Sequence, residues 1–144
     1  MYHNYRWTIF FKMEKADDLF EKFSRELEMD TQLDATNVLD KQYSLPNIRH
    51  KWMYRLRQCQ RTMFKLVDAK NEYIEKAIQN TPIQLSKAKI NRSIESDEKY
   101  KQLLEEIHSY ESLIQYLDIN INKNLTSMGF DIKNIVELLK MESQ

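Results

Sequence analysis

One glycine in 144 residues is the feature that most limits what this chain can fold into. Glycine takes up positive φ at no steric cost, and phosphate-cradling loops, dinucleotide fingerprints and runs of tight hairpins each need several such positions. Nucleotide-binding α/β folds and β-sandwiches are set aside on that ground. With only two prolines and a surplus of Glu, Lys, Leu, Ile, Gln and Asn, the composition is that of long helices, and the chain reads as all-α. Its length is that of one domain. The lone thiol, Cys59, permits no internal disulfide, and with His3, His50 and His108 scattered it makes neither a CxxC pair nor an HExxH motif. A reducing compartment, no metal and no cofactor are therefore expected. No stretch approaches the roughly 20 apolar residues of a membrane span, and the aromatic run Trp7–Phe11 is too short for a signal-peptide core, so a soluble, intracellular protein away from membranes is expected.

The net charge is zero, yet the charges are segregated. Residues 1–45 carry 6 basic and 9 acidic side chains (net −3), residues 46–92 carry 11 and 3 (net +8), and residues 93–144 carry 5 and 10 (net −5). Between Asp40 and Asp68 there is no acidic residue, while Lys41, Arg49, Lys51, Arg55, Arg57, Arg61 and Lys65 fall inside the gap. A second acid-free gap, Lys76 to Ile94, holds Lys87, Lys89 and Arg92. A helix with such a surplus repels itself unless a polyanion or an acidic protein neutralises it.

Hydrophobic spacing divides the chain. Residues 1–12 fit no helical period and read as an N-terminal extension, with Met13 as the alternative start; residues 13–144 read as a single helical domain. Asp17 is placed to cap a helix reaching about Met29, with Leu19, Phe20, Phe23 and Leu27 on one stripe. Asp34 and Thr36 are placed to cap another, and Pro46 marks a break before the basic helix. There Trp52, Cys59, Leu66 and Tyr73 alternate with Leu56, Met63, Lys70 and Ala77 in a 3-4 seam. Lys51, Arg57, Arg61 and Lys65 are expected to project away from it, the last three as an i, i+4 row. Gln79–Ser93 reads as a connector, with Pro82 the alternative start of a short helical piece. A second long helix is predicted from about Glu95 to Met128, with Tyr100, Ile107, Ile114, Ile121 and Met128 at one heptad position and Leu103, Tyr110 and Leu117 at the other. Leu104, Leu113 and Leu125 widen its stripe. Gly129 is expected as the left-handed residue ending it, and Asp131 as the cap of a last helix carrying Ile132, Ile135, Val136 and Leu139. The result is a long helical hairpin with short terminal helices. Arms of about 40 to 50 Å leave apolar surface over, which homo-oligomerisation would cover.

The cations are interleaved with rings, His50, Trp52, Tyr54, Phe64 and Tyr73, which favours nucleic acid over a merely solvated face. Trp52 and Tyr73 fall on the seam, so Tyr54 and His50 are the better stacking candidates. Cys59 reads as a small buried hydrophobe and His108 as a surface residue. Glu105 and Glu106 point about 100° apart and do not share a site. No nucleophile–base set is found, so no enzyme is expected.

Three stretches resemble the UvsY recombination mediators of T-even-type bacteriophages. Leu33-Asp34-Ala35-Thr36, followed fifteen residues later by Lys51-Trp52, is similar to the family's Asp-x-Thr opening and the Lys-Trp that begins its basic helix. Asp68-Ala69-Lys70-Asn71-Glu72-Tyr73 is similar to its Lys-Ala-Arg-Leu-Asp-Tyr stretch for single-stranded DNA, with about two helical turns deleted before it. Gly129-Phe130-Asp131-Ile132-Lys133-Asn134-Ile135 is similar to its Gly-Phe-x-Ile-Lys-x-Ile. Asp68 stands in place of the motif's first lysine, and Ile74 with Glu75 replaces its second tyrosine and the small residues that follow, so the motif transfers a DNA contact to Lys70 alone, with Lys51 a matching residue.

The resemblance implies a non-enzymatic protein of the host cytoplasm that binds single-stranded DNA as a ring-like homo-oligomer, displaces single-stranded DNA-binding protein and loads a RecA-like recombinase, UvsX in that family. The DNA contacts expected are Lys51, Arg55, Arg57, Arg61, Lys65 and Lys70, with Lys87, Lys89 and Arg92 as auxiliaries. Assembly is expected through Ile107, Ile114, Leu117, Ile121, Phe130, Ile132 and Ile135. A structural coiled-coil component or assembly chaperone docking an acidic protein is the alternative.

Overall fold

The computed structural model describes residues 13–81 and 86–144. The segment read as an extension, residues 1–12, and Pro82 lie outside them. The helices are α1 (Ala16–Thr31), α2 (Val38–Gln79), α3 (Lys87–Glu95), α4 (Glu98–Ile119), a π-helical segment (Asn120–Asn124) and α5 (Leu125–Glu142). There is no strand among the described residues. From Glu98 to Glu142 the chain is helical without a break, and it runs antiparallel to α2: Tyr73 stacks on Tyr100 at one end, and at the other Arg49 Nη2 donates to the Leu125 carbonyl at 3.1 Å. The hairpin and its seam are as read, with Trp52, Cys59 and Leu66 buried against Leu103, Ile107, Tyr110, Leu113 and Leu117.

Several boundaries differ from expectation, each for a physical reason. Pro46 does not break the basic helix; it lies inside α2. Its missing N–H leaves the Gln42 carbonyl without its usual intrahelical partner, and Gln42, Tyr43 and Pro46 are all exposed, so that carbonyl lies on the solvent side of the helix. Burial of Val38, Ile48 and Trp52 on the opposite face keeps the helix whole. Gly129 ends nothing: no glycine has positive φ, and it lies within α5. Its lack of a side chain instead lets α2 come close, for a Cβ there would stand 3.4 Å from Arg49 Nη2 and 3.6 Å from Leu45 Cδ2. Asp131 is accordingly mid-helix rather than a cap. Lys87–Glu95, expected within a connector, is helical, capped by Ser86, whose side chain accepts from the Lys89 N–H.

The second arm also shifts register. Leu103, Tyr110 and Leu117 follow one another at seven residues, but the next fully buried leucine is Leu125, eight further on, followed by Ile132. The π segment supplies the extra residue, the Leu125 N–H donating to the Asn120 carbonyl five residues back. Asn120 Nδ2 donates to the Tyr116 carbonyl at 2.9 Å and Asn124 Nδ2 to Asn120 Oδ1 at 2.7 Å, so side chains of the segment bond along its own axis.

α1 lies against the hairpin. Asp17 is not its cap; the preceding Lys15 makes no side-chain cap, and the Ala16 N–H instead donates to Glu106 Oε1 of α4 at 2.8 Å. The buried Tyr110 hydroxyl donates to the Glu14 carbonyl at 2.6 Å. At the other end of α1, which has no basic residue in its last turn, Lys41 Nζ donates to the carbonyls of Met29 and Asp30 at 3.2 and 3.0 Å. Asp34 and Thr36 do not cap α2 as read: its N-cap is Asn37, which makes no side-chain cap bond, and Asp34 instead folds the turn before the helix, its Oδ1 accepting from the Thr36 N–H, the Thr36 hydroxyl and the Asn37 N–H at 2.8, 2.5 and 3.0 Å. Phe20 packs on Tyr116 and Phe23 edge-on to Trp52, with centroids 4.8 and 5.5 Å apart. α1 and α2 therefore cover much of the stripe expected to be left over. Ile107, Leu117 and Ile132, expected at an assembly surface, are buried in the chain's own core, and Ile114, Ile121 and Ile135 are half-buried against that core; Phe130 is 65% exposed.

Candidate nucleic-acid interface

Helical geometry sorts the cations of α2 onto different sides. At 100° per residue, Trp52, Cys59 and Leu66 define the core direction, while Arg57, Arg61 and Lys65 fall within about 60° of the opposite direction. All three are exposed, and among the described residues none of them is in an ion pair. With one helical step of four between neighbours, the row extends about 12 Å along the axis.

Lys51 and Arg55 differ from that expectation, because they turn toward α1 rather than outward. Lys51 Nζ lies 3.0 Å from Glu26 Oε1 and 2.6 Å from Asp30 Oδ2, and Arg55 Nη1 lies 2.5 Å from Glu26 Oε2. The Arg55 guanidinium also sits 4.9 Å from the Phe23 centroid and 4.8 Å from that of Trp52, and Lys51 Nζ 5.2 Å from the Trp52 ring. Trp52 is fully buried, with its indole N–H donating to Asp30 Oδ2 at 2.8 Å. The hydrogen bond from Arg55 holds the Glu26 carboxyl below its ordinary pKa against the opposing effect of burial. Burial pulls the Lys51 ammonium down, but its bonds to Asp30 and Glu26 outweigh this and raise it. These two cations are neutralised within the chain, so α1 covers one flank of the basic helix and leaves the other open.

Lys70 is half-buried toward the far end of α2, and Lys87, Lys89 and Arg92 are exposed on α3, which packs under that end through buried Ile94. Arg49, outside the predicted contact set, is engaged with α5 as described. Of the rings, His50, Tyr54 and Phe64 are exposed. Tyr73 is half-buried, and desolvation together with a hydrogen bond to Asp97 pushes its hydroxyl up to about 12. It is part of the hairpin rather than a platform. Tyr43, 84% exposed, joins the outward face. Reading Pro46 as a break separated Tyr43 from the basic helix, and spacing across the proline was the signal that placed it there.

Cys59 is buried in the seam and desolvation pushes its thiol up to about 11. His108 is exposed, 3.4 Å from Glu111, and Glu106 is occupied with the start of α1. Among the described residues no group of three or more His, Cys, Asp or Glu side chains is arranged to hold a metal ion, and no helix is long and apolar enough to cross a membrane. The arrangement offers a long, one-sided cationic surface.

The family described as "Recombination, repair and ssDNA binding protein UvsY" matches residues 26–144. A crystal structure of the bacteriophage T4 recombination mediator protein UvsY, lattice type IV, is similar at a TM-score of 0.73 and 16% identity, over 85% of this chain and 98% of that one. The lattice type II structure gives 0.69 and 16%, over 86% and 97%. No curated protein matches the chain by sequence.

Proposed function

The chain belongs to the UvsY family of recombination, repair and single-stranded-DNA-binding proteins, and from that premise we propose that it is a recombination mediator acting by binding rather than by bond chemistry. In this reading the open flank of α2 captures single-stranded DNA through its phosphates. Copies of the chain assemble into a closed ring, and avidity among their weak contacts holds the strand. The bound strand is stripped of single-stranded DNA-binding protein and handed to a RecA-like recombinase resembling UvsX, in the cytoplasm of a phage-infected host.

The observation that carries the reading is the exposed row Arg57, Arg61, Lys65, in no ion pair among the described residues, within an acid-free stretch of a continuous helix. Lys70, Lys87, Lys89 and Arg92 extend the positive field, while Lys51 and Arg55 hold α1 in place. Fluorescence anisotropy with a labelled oligonucleotide tests it across a salt series. Arg57→Ala/Arg61→Ala/Lys65→Ala lowers affinity alike for any sequence and flattens the dependence of log K on log salt by about 2, near 0.7 for each lost single-strand contact. An unchanged slope places the strand elsewhere.

A further inference from the structure

We infer that the outward face of α2 is also a stacking surface for unpaired bases, formed by Tyr43, Tyr54 and Phe64 in line with Arg57 and Arg61. The inference rests on the proposed function and adds to it what part of the ligand is recognised. Positions 43, 50, 54, 57, 61 and 64 all lie on the side of α2 directly opposite Trp52, Cys59 and Leu66, because their spacings of 7, 4, 3, 4 and 3 keep one azimuth on a helix. Tyr43 is 84%, Tyr54 58% and Phe64 64% exposed, and His50 is exposed between them. Gln58 Nε2 donates to the Tyr54 hydroxyl at 3.3 Å, one turn along the same helix.

Large apolar side chains held in water along one line call for an occupant. A second copy docking centred on this stripe would set Arg57 and Arg61 against like charges, the nearest carboxylate on that side being Asp68, one turn beyond Phe64. A strand of nucleic acid meets both features at once, phosphates on the guanidinium groups and π-faces on the rings. Only a single strand offers those faces, since in a duplex they are covered by neighbouring base pairs. The rings Tyr43 to Phe64 span about 32 Å of helix, so the surface engages several nucleotides per protomer.

The test compares oligo(dT) with an abasic deoxyribose-phosphate oligomer of equal length and charge, both titrated by anisotropy. Tyr54→Ala/Phe64→Ala lowers affinity for oligo(dT) by about tenfold or more while leaving the abasic oligomer and the salt slope as in the unaltered chain; Tyr54→Phe restores binding. Arg57→Ala/Arg61→Ala/Lys65→Ala weakens both oligomers. In Tyr54→Trp, oligo(dT) quenches the new indole emission and the abasic oligomer does not. Equal losses on both oligomers, no loss on oligo(dT), or a fall in assembly mass by sedimentation at unchanged DNA affinity overturns the stacking role, the last assigning the stripe to contact between copies. Binding of neither oligomer by the unaltered chain defeats the proposed function itself, whereas retained phosphate binding with no preference for bases defeats only this inference.

Discussion

Gly129→Ala distinguishes a glycine needed for close helix packing from one needed for a left-handed turn. In the structure its φ is helical, and an added Cβ would meet Arg49 Nη2 at 3.4 Å and Leu45 Cδ2 at 3.6 Å. Both are ends of flexible side chains and need move only slightly. Alanine in a helix interior gains about 0.8 to 1 kcal/mol over glycine, chiefly through the unfolded chain's lost freedom. Part of that gain is offset where the new methyl crowds the guanidinium that donates to the Leu125 carbonyl at 3.1 Å. The net expectation is stabilisation of about 0.5 kcal/mol, a rise of roughly 2 °C in Tm for a chain of this size. Were the residue a left-handed cap, alanine would cost about 1 to 2 kcal/mol, with Tm falling. Urea and thermal unfolding followed by circular dichroism decide the sign. A loss of 1 kcal/mol or more at unchanged m-value refutes the helical account of Gly129. Gly129→Leu is the companion, destabilising by about 1 to 3 kcal/mol through overpacking against α2.

Tyr110→Phe removes the buried hydroxyl that donates to the Glu14 carbonyl and is expected to cost about 1 to 2 kcal/mol in urea unfolding; a change below about 0.3 kcal/mol would show that this contact does not anchor α1. Because Glu26 is held below its ordinary pKa of 4.5, chiefly by Arg55, its contribution is present above that pH and lost as the pH falls through the lowered value. Glu26→Gln therefore costs about 1 kcal/mol at pH 7 after allowance for partial solvent screening, and it flattens the acid limb of a stability–pH curve; an acid limb identical to that of the unaltered chain counts against the pairing. Cys59, its thiol pushed up to about 11 by burial, reacts slowly with a maleimide at pH 8 until urea unfolds the protein, and rapid native labelling would contradict its burial.

The long-period features of the fold were legible because they depend only on spacing. Trp52, Cys59 and Leu66 announced the seam, and the absence of carboxylates from residue 41 to 67 announced the charged face. What spacing does not encode is which neighbour lies where. The diversion of Lys51 and Arg55 to Glu26 depends on the azimuth at which α1 docks, set by Phe23, Trp52 and the anchors at Glu14 and Glu106. Local rules failed where a tertiary contact replaced a local one. Glu106 from another helix did the work assigned to Asp17, and burial on one side carried the helix through Pro46. Gly129 answered to the approach of α2 rather than to chain reversal. The surplus apolar stripe was real in sequence, yet Ile107, Leu117 and Ile132 found their cover inside the same chain.

The segment Asn120–Asn124 makes chain length unequally tolerable along the second arm. Elsewhere between Glu98 and Ile132, losing one residue turns everything beyond it by about 100° and carries Leu125 or Ile132 out of the core. Within the widened turn the same loss restores ordinary α geometry and leaves Leu125, Met128 and Ile132 where they are, at the expense of the asparagine bonds. That turn is where evolution can shorten the arm ahead of Leu125 and keep its inner face in phase.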